Sequence, residues 1–125
     1  FDLSVKVHPF GVNKSKYLNK ICNNIITTKF DILLNTSSVL IFDFAGSAFF
    51  DALASNKGIV LLNTGVRPFF LDAYKDLKKR CDIVDSYFDE KNRIRFNTND
   101  LRLAISNAFK FSNVKNDFAK KYFFK

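Results

Sequence analysis

Hydrophobic and polar positions change period several times along this chain, and each change marks an element. Asp2-Leu3-Ser4-Val5-Lys6-Val7 alternates polar and apolar residues, the pattern of a half-buried strand. His8-Pro9 ends it, because proline has no amide donor and restricts the residue before it. From about Lys14 to Asn24, Tyr17, Leu18, Ile21 and Cys22 recur at helical spacing. Ile25 to Thr28 is a candidate short strand. Phe30 to Leu34 is a short helix or turn, closed by the polar run Asn35-Thr36-Ser37-Ser38.

The clearest unit comes next. Val39-Leu40-Ile41-Phe42-Asp43-Phe44 is a nearly continuous apolar run, as expected for a parallel strand covered on both faces. Ala45-Gly46-Ser47 breaks the run, and Phe49, Ala52 and Leu53 then share one stripe of a helix over Ala48 to Ser55. Gly58 is expected to close that helix in the left-handed conformation, and Ile59-Val60-Leu61-Leu62 is the following buried strand. Strand, tight turn, helix and strand make a βαβ unit, whose crossover should be right-handed.

Past the loop Asn63-Thr64-Gly65-Val66-Arg67-Pro68, a helix is expected over Leu71 to Lys79, with Ala73, Tyr74 and Leu77 inward. Asp82-Ile83-Val84-Asp85 is a short strand, and Asp89-Glu90-Lys91-Asn92 a turn before Arg93 to Phe96. The last long helix runs to about Phe109, with Thr98 as the expected N-cap. The fold class is therefore α/β, a Rossmann-like three-layer domain with a mostly parallel sheet. Residues 1–112 make one such domain, and 113–125 a C-terminal basic and aromatic helix.

Composition sharpens this picture in a few places. At 125 residues and 47% hydrophobic, the chain can bury a real core and is not a disordered segment. Phenylalanine alone supplies 16 residues, so much of that core is aromatic. The first residue is a phenylalanine already inside a strand-like run and methionine is absent, so the chain reads as a fragment of a larger protein. Cys22 and Cys81 lie far apart without CxxC spacing, and there is a single histidine. These counts argue against a Cys/His zinc site and for two buried thiols in a reducing cytoplasm. The sequence holds no apolar run long enough to span a membrane.

The formal charge of +8, from 20 basic and 12 acidic residues, favours polyanions such as nucleotide phosphates, anionic headgroups or nucleic acid. The plainer reading is a solvated lysine-rich surface. No nucleic-acid motif accompanies the charge, so no nucleic-acid partner is expected. Near the C-terminus, Lys115, Lys120, Lys121 and Lys125 accompany Phe118, Tyr122, Phe123 and Phe124. That tail is expected to pack its aromatics against the rest of a larger protein, or to make peripheral contact with a membrane.

Ligands of open α/β sheets bind outside the carboxyl ends of the strands, which singles out three loops. In Asp43-Phe44-Ala45-Gly46-Ser47, Gly46 permits a tight turn, and Ser47 opens a helix whose free amides and dipole favour an anion. Alternatively Ser47 is only an N-cap. Asp51 lies one turn on, facing either a ribose or solvent. His8, with Lys6 two residues before it, can donate to a phosphate or act as a general acid; each can equally be a surface group. Arg67 can grip a phosphate with two N–H groups or form a surface ion pair.

Lys6-Val7-His8-Pro9, a buried strand ending in Asp43, Gly46-Ser47-x-x-x-Asp51-Ala52-Leu53, Lys57-Gly58 and the strand Val60-Leu61-Leu62 together resemble the C-terminal half of GT-B-type glycosyltransferases. The similarity is to transferases of bacterial surface polysaccharides and to CDP-glycerol glycerophosphotransferases. It spans Lys6 to about Phe109. The chain departs from the latter group at Ala45-Gly46-Ser47, where they carry paired serines.

The resemblance implies that this half holds a nucleotide-diphosphate donor while an N-terminal half binds the acceptor. By position, His8 would be the catalytic residue at the donor phosphates. Lys6, Gly46, Ser47, Thr64, Gly65 and Arg67 would surround the diphosphate, Asp51 would take the ribose, and Asp43 would border the pocket. No metal and no cofactor are called for, the nucleotide-activated donor being the substrate. Two alternatives stay open: half of a sugar-nucleotide epimerase, and a basic α/β binding module without chemistry.

Overall fold

The computed structural model describes residues 3–7, 18, 20, 22, 24–111 and 116–124. They fall into two compact units, 1–35 and 36–125. In the first unit, β1 (Ser4–Lys6) pairs in parallel with β2 (Asn24–Ile26), Val5 opposite Ile25. The Val7 amide extends the ladder by donating to the Ile26 carbonyl at 3.1 Å. Cys22 is buried and its thiol donates to the Leu3 carbonyl at 3.1 Å. The helix α1 (Phe30–Thr36) follows.

The second unit is the α/β domain. Its strands β3 (Val39–Phe42), β4 (Gly58–Asn63), β5 (Asp82–Phe88) and β6 (Ile94–Phe96) lie in the order β3-β4-β5-β6. The first three are parallel, and β6 returns antiparallel to β5. Between them run α2 (Ser47–Ala54) and α3 (Leu71–Arg80), followed by α4 (Thr98–Phe109) and α5 (Asp117–Tyr122). This is the Rossmann-like, mostly parallel α/β arrangement expected from the period changes. No helix among the described residues is long and apolar enough to cross a membrane.

The alternation along β4 explains the layers, since successive side chains of a strand face opposite ways. Val60 and Leu62 join Val84 of β5 and Ala104 and Ala108 of α4 in one buried cluster. Ile59 and Leu61 face the other way, on the side where Phe42 of β3 meets Phe49 of α2 edge-to-face at 5.5 Å between ring centres. The stripe Phe49, Ala52 and Leu53 is fully buried, and burial of a side chain the size of Phe49 or Leu53 contributes roughly 1.5–3 kcal/mol. The inward residue of α3 is Leu77, with Ala73 and Tyr74 half-buried.

Three local expectations are corrected. Gly58 has no left-handed backbone, the one described glycine with positive φ being Gly65. Gly58 is instead the first residue of β4, and it is glycine because α4 crosses so close that a Cβ would overlap the Ala108 carbonyl. The N-cap of α4 is Asn97 rather than Thr98. Asn97 Oδ1 accepts from the amides of Asn99 (2.9 Å) and Asp100 (3.1 Å), a reach that asparagine makes well from the cap position.

The third concerns the tail, of whose aromatics Tyr122 and Phe123 contact this same domain while Phe124 is exposed. Phe118 contacts Tyr122 and Phe123, and Phe123 meets Phe50 of α2 edge-to-face. Asn116 caps α5 by accepting from the Ala119 amide, and its Nδ2 donates to the Leu53 carbonyl at 2.9 Å. Asp76 of α3 then holds α5, accepting from Lys121 Nζ at 2.7 Å and from the Tyr122 hydroxyl at 2.9 Å.

Those two bonds, the Lys121 one first, pull the Asp76 carboxyl from 3.8 down to about 2. A carboxyl depressed on folding stabilises the fold above its unfolded pKa, and that contribution is lost as pH falls through the folded one. The tie between α3 and α5 should therefore be intact above pH ~4 and fail toward pH ~2. The protection of the amides across 117–122, taken relative to the intrinsic exchange rate at each pH, should fall between pH 5 and pH 2 in the wild type and be already low at pH 5 in Asp76→Asn. Equal protection of the two proteins at pH 5 would show that the tie carries nothing.

One turn beyond Asp76 sits the last residue of α3, Arg80, only 4% exposed. Its guanidinium donates to four carbonyls at the end of α2: Nε to Leu53 (3.0 Å), and Nη2 to Ala52 (3.3 Å), Ser55 (3.0 Å) and Lys57 (3.1 Å). The guanidinium carbon lies over the Phe111 ring, 4.2 Å from its centre, and Nη1 is buried without a hydrogen-bond partner among the described residues. Helix ends leave carbonyls without intrahelical donors, and Arg80 supplies them for α2. The neighbouring Cys81 is buried, and its thiol is pushed up to about 12 by desolvation, which keeps it un-ionised and inert.

Candidate functional site

The carboxyl ends of β3 and β4 bring together two of the three loops singled out in the sequence. Asp43, Phe44, Ala45, Asn63, Thr64, Val66, Arg67 and Phe69 line one shallow depression there, floored by Leu61 and Leu62. Parallel pairing puts Phe42, the last residue of β3, opposite Leu61, so β4 runs two residues further, to Asn63, before its loop begins.

The first loop turns tightly, the Gly46 amide donating to the Phe44 carbonyl at 3.0 Å. Gly46, extended at φ −95° and ψ −170°, is the N-cap of α2, and no side chain caps that helix. Ser47 is the first helical residue and is exposed, so the alternative of Ser47 as a simple N-cap does not hold. The Gly46 carbonyl accepts from the amides of Phe49 (3.1 Å) and Phe50 (3.3 Å). The amides of Ser47 and Ala48, one and two residues into α2, have no backbone partner among the described residues. Asp51 is exposed one turn further along.

The second loop is shaped by Asn63, whose Oδ1 accepts from the Gly65 amide at 3.2 Å. Gly65 takes φ +77°, a conformation that costs a residue with a Cβ roughly 1–2 kcal/mol. Thr64 is half-buried and Arg67 is exposed. Arg67 Nη1 donates to the Ala45 carbonyl at 3.2 Å, and its guanidinium sits 4.7 Å from the Phe44 ring centre. The Phe44 ring also rests on Gly46, where a Cβ would come within 3.2 Å of it. Arg67 thus fastens one loop to the other. No carboxylate among the described residues lies within ion-pair distance of it, so its charge is not neutralised locally.

Of the residues expected to form a donor site, Asp43, Gly46, Ser47, Asp51, Thr64, Gly65 and Arg67 therefore lie in or beside these two loops or on the first turns of α2. Lys6 is in β1 of the first unit, and its Nζ donates to the neighbouring Val7 carbonyl at 2.7 Å. His8 lies outside the described residues. Phe44 and Asn63 lie in the loops expected from the sequence, but no role in the site was expected of either. Phe44 ends an apolar run that gives its ring no distinct signal, whereas an Asn two residues before a Gly is a recognisable Asx-turn signal.

A roomier depression of about 110 Å3 lies between the C-terminal ends of α3 and α4, lined in part by Lys78, Lys79, Asp82, Asn107 and Lys110. Its charged groups are largely committed within the protein. Lys78 lies over the Tyr74 ring, Lys79 pairs with Asp76 at 3.5 Å, and Asp82 accepts from Asn107 Nδ2 at 3.2 Å. Burial raises the Asp82 carboxyl above its ordinary value. None of the expected site residues belongs to this depression. No family model matches the chain, and neither a curated protein nor a solved structure matches it.

Proposed function

We propose that the loops 43–47 and 63–67 bind the diphosphate of a nucleotide-activated donor, and that the chain is the donor-binding part of a glycosyl- or polyol-phosphate transferase of surface-polysaccharide synthesis. The observation that carries this reading is the pairing of an uncapped α2 N-terminus with Arg67, an unneutralised cation bonded to the loop that opens the same helix. Free amides and a guanidinium offer an anion what it loses on leaving water. The class of enzyme comes from the sequence resemblance alone.

On this reading Ser47 and Arg67 hold phosphate oxygens and Asp51 accepts from ribose hydroxyls. Asp43, itself anionic, faces donor hydroxyls rather than phosphates. Leaving-group charge is offset by the α2 amides, Arg67 and His8. The partner is an acceptor-binding half, and the site of action is the cytoplasm, at the inner face of the membrane.

Thermal unfolding of the full chain against CDP, UDP, GDP, ADP and CMP tests this. One base should stabilise selectively, by about 2.7 kcal/mol at a hundredfold excess over its Kd. Ser47→Asp, which puts an anion where the phosphate would sit, and Arg67→Gln should each abolish the effect. Small equal shifts from every nucleotide that vanish with salt would sink the donor reading and favour a basic surface with no nucleotide pocket.

A further inference from the structure

No further inference is drawn: the strongest candidate, the exposed apolar side chains Val66, Phe70 and Leu71 around the loop between β4 and α3, is an unpartnered surface, and nothing in the structure shows what covers it.

Discussion

Gly58→Ala is expected to destabilise the α/β domain by about 3 kcal/mol or more, the upper end of what overpacking a core costs. The added methyl would lie 2.6 Å from the Ala108 carbonyl carbon and 3.1 Å from its Cα. These are backbone atoms of α4, so relief requires moving the helix off the sheet. That movement would open the cluster of Val60, Leu62, Val84, Ala104 and Ala108. A domain of this size should lose more than about 10 °C in thermal midpoint.

The other two described glycines give the contrast that makes the result specific. Gly46→Ala meets only the edge of the half-exposed Phe44 ring, which can swing aside, so a cost below ~1 kcal/mol is expected. Gly65→Ala meets nothing within 4 Å but must hold φ +77°, a penalty of roughly 1–2 kcal/mol. Urea unfolding of the three variants should rank Gly58 well above Gly65, and Gly65 above Gly46. A Gly58→Ala protein as stable as wild type would mean that α4 does not approach the sheet this closely.

Gly58 also marks the limit of what could be read from the sequence. A glycine after a helical stripe and before a strand suits a left-handed helix end, and nothing in the local run says otherwise. The deciding neighbour, Ala108, is fifty residues away. The small pair Ala104 and Ala108 on one face of α4 is the faint trace of that close approach. By contrast, the order strand–helix–strand from Val39 to Asn63 was legible because each element announces itself within ten residues, by an unbroken apolar run or a 3.6-residue stripe. The first strand nevertheless stops at Phe42, short of Phe44, and lies at the end of the strand order with Ile41 exposed rather than covered on both faces.

The candidate site shows the same division. Gly46-Ser47, Asp51 and the Asn63–Arg67 loop follow from their places at strand ends and on α2. The bond from Arg67 to Ala45, twenty-two residues back, depends on two parallel strands lying side by side, which no local pattern encodes. The cap on α4 fell to Asn97 rather than Thr98 because the two residues are adjacent and both are good caps; only the backbone decides between them.

Arg80 was the least legible residue of all, since Lys78-Lys79-Arg80 reads as a solvated basic run. Its replacement by methionine is expected to cost about 3 kcal/mol, through loss of hydrogen bonds from a charged donor. Two effects of opposite sign compete. Burial disfavours the guanidinium, lowering its pKa from 12.5 to about 10, an order of ~3 kcal/mol at 1.36 kcal/mol per unit. Against that stand three N–H groups, one on Nε and two on Nη2, shared among four carbonyl oxygens, each N–H of a charged donor being worth about 1.5–3 kcal/mol. The bonds outweigh the burial even at the low end. Asn116 shares two of those acceptors, Leu53 and Ser55, which keeps the loss from being larger.

Methionine is the informative replacement because it nearly fills the same space without a charge, so packing loss is small and the balance of the two effects is what is measured. Replacing buried ionic groups by apolar ones of similar volume is sometimes neutral or stabilising. An Arg80→Met domain at or above wild-type stability in urea unfolding would show that burial wins here and that the end of α2 does not need its donors. Arg80→Lys separates charge from geometry. An ammonium group retains the charge but cannot place a planar fork across four carbonyls while its centre stays over the Phe111 ring, so lysine should recover less than half of the loss. Full recovery by lysine would reassign the role of Arg80 to its charge alone.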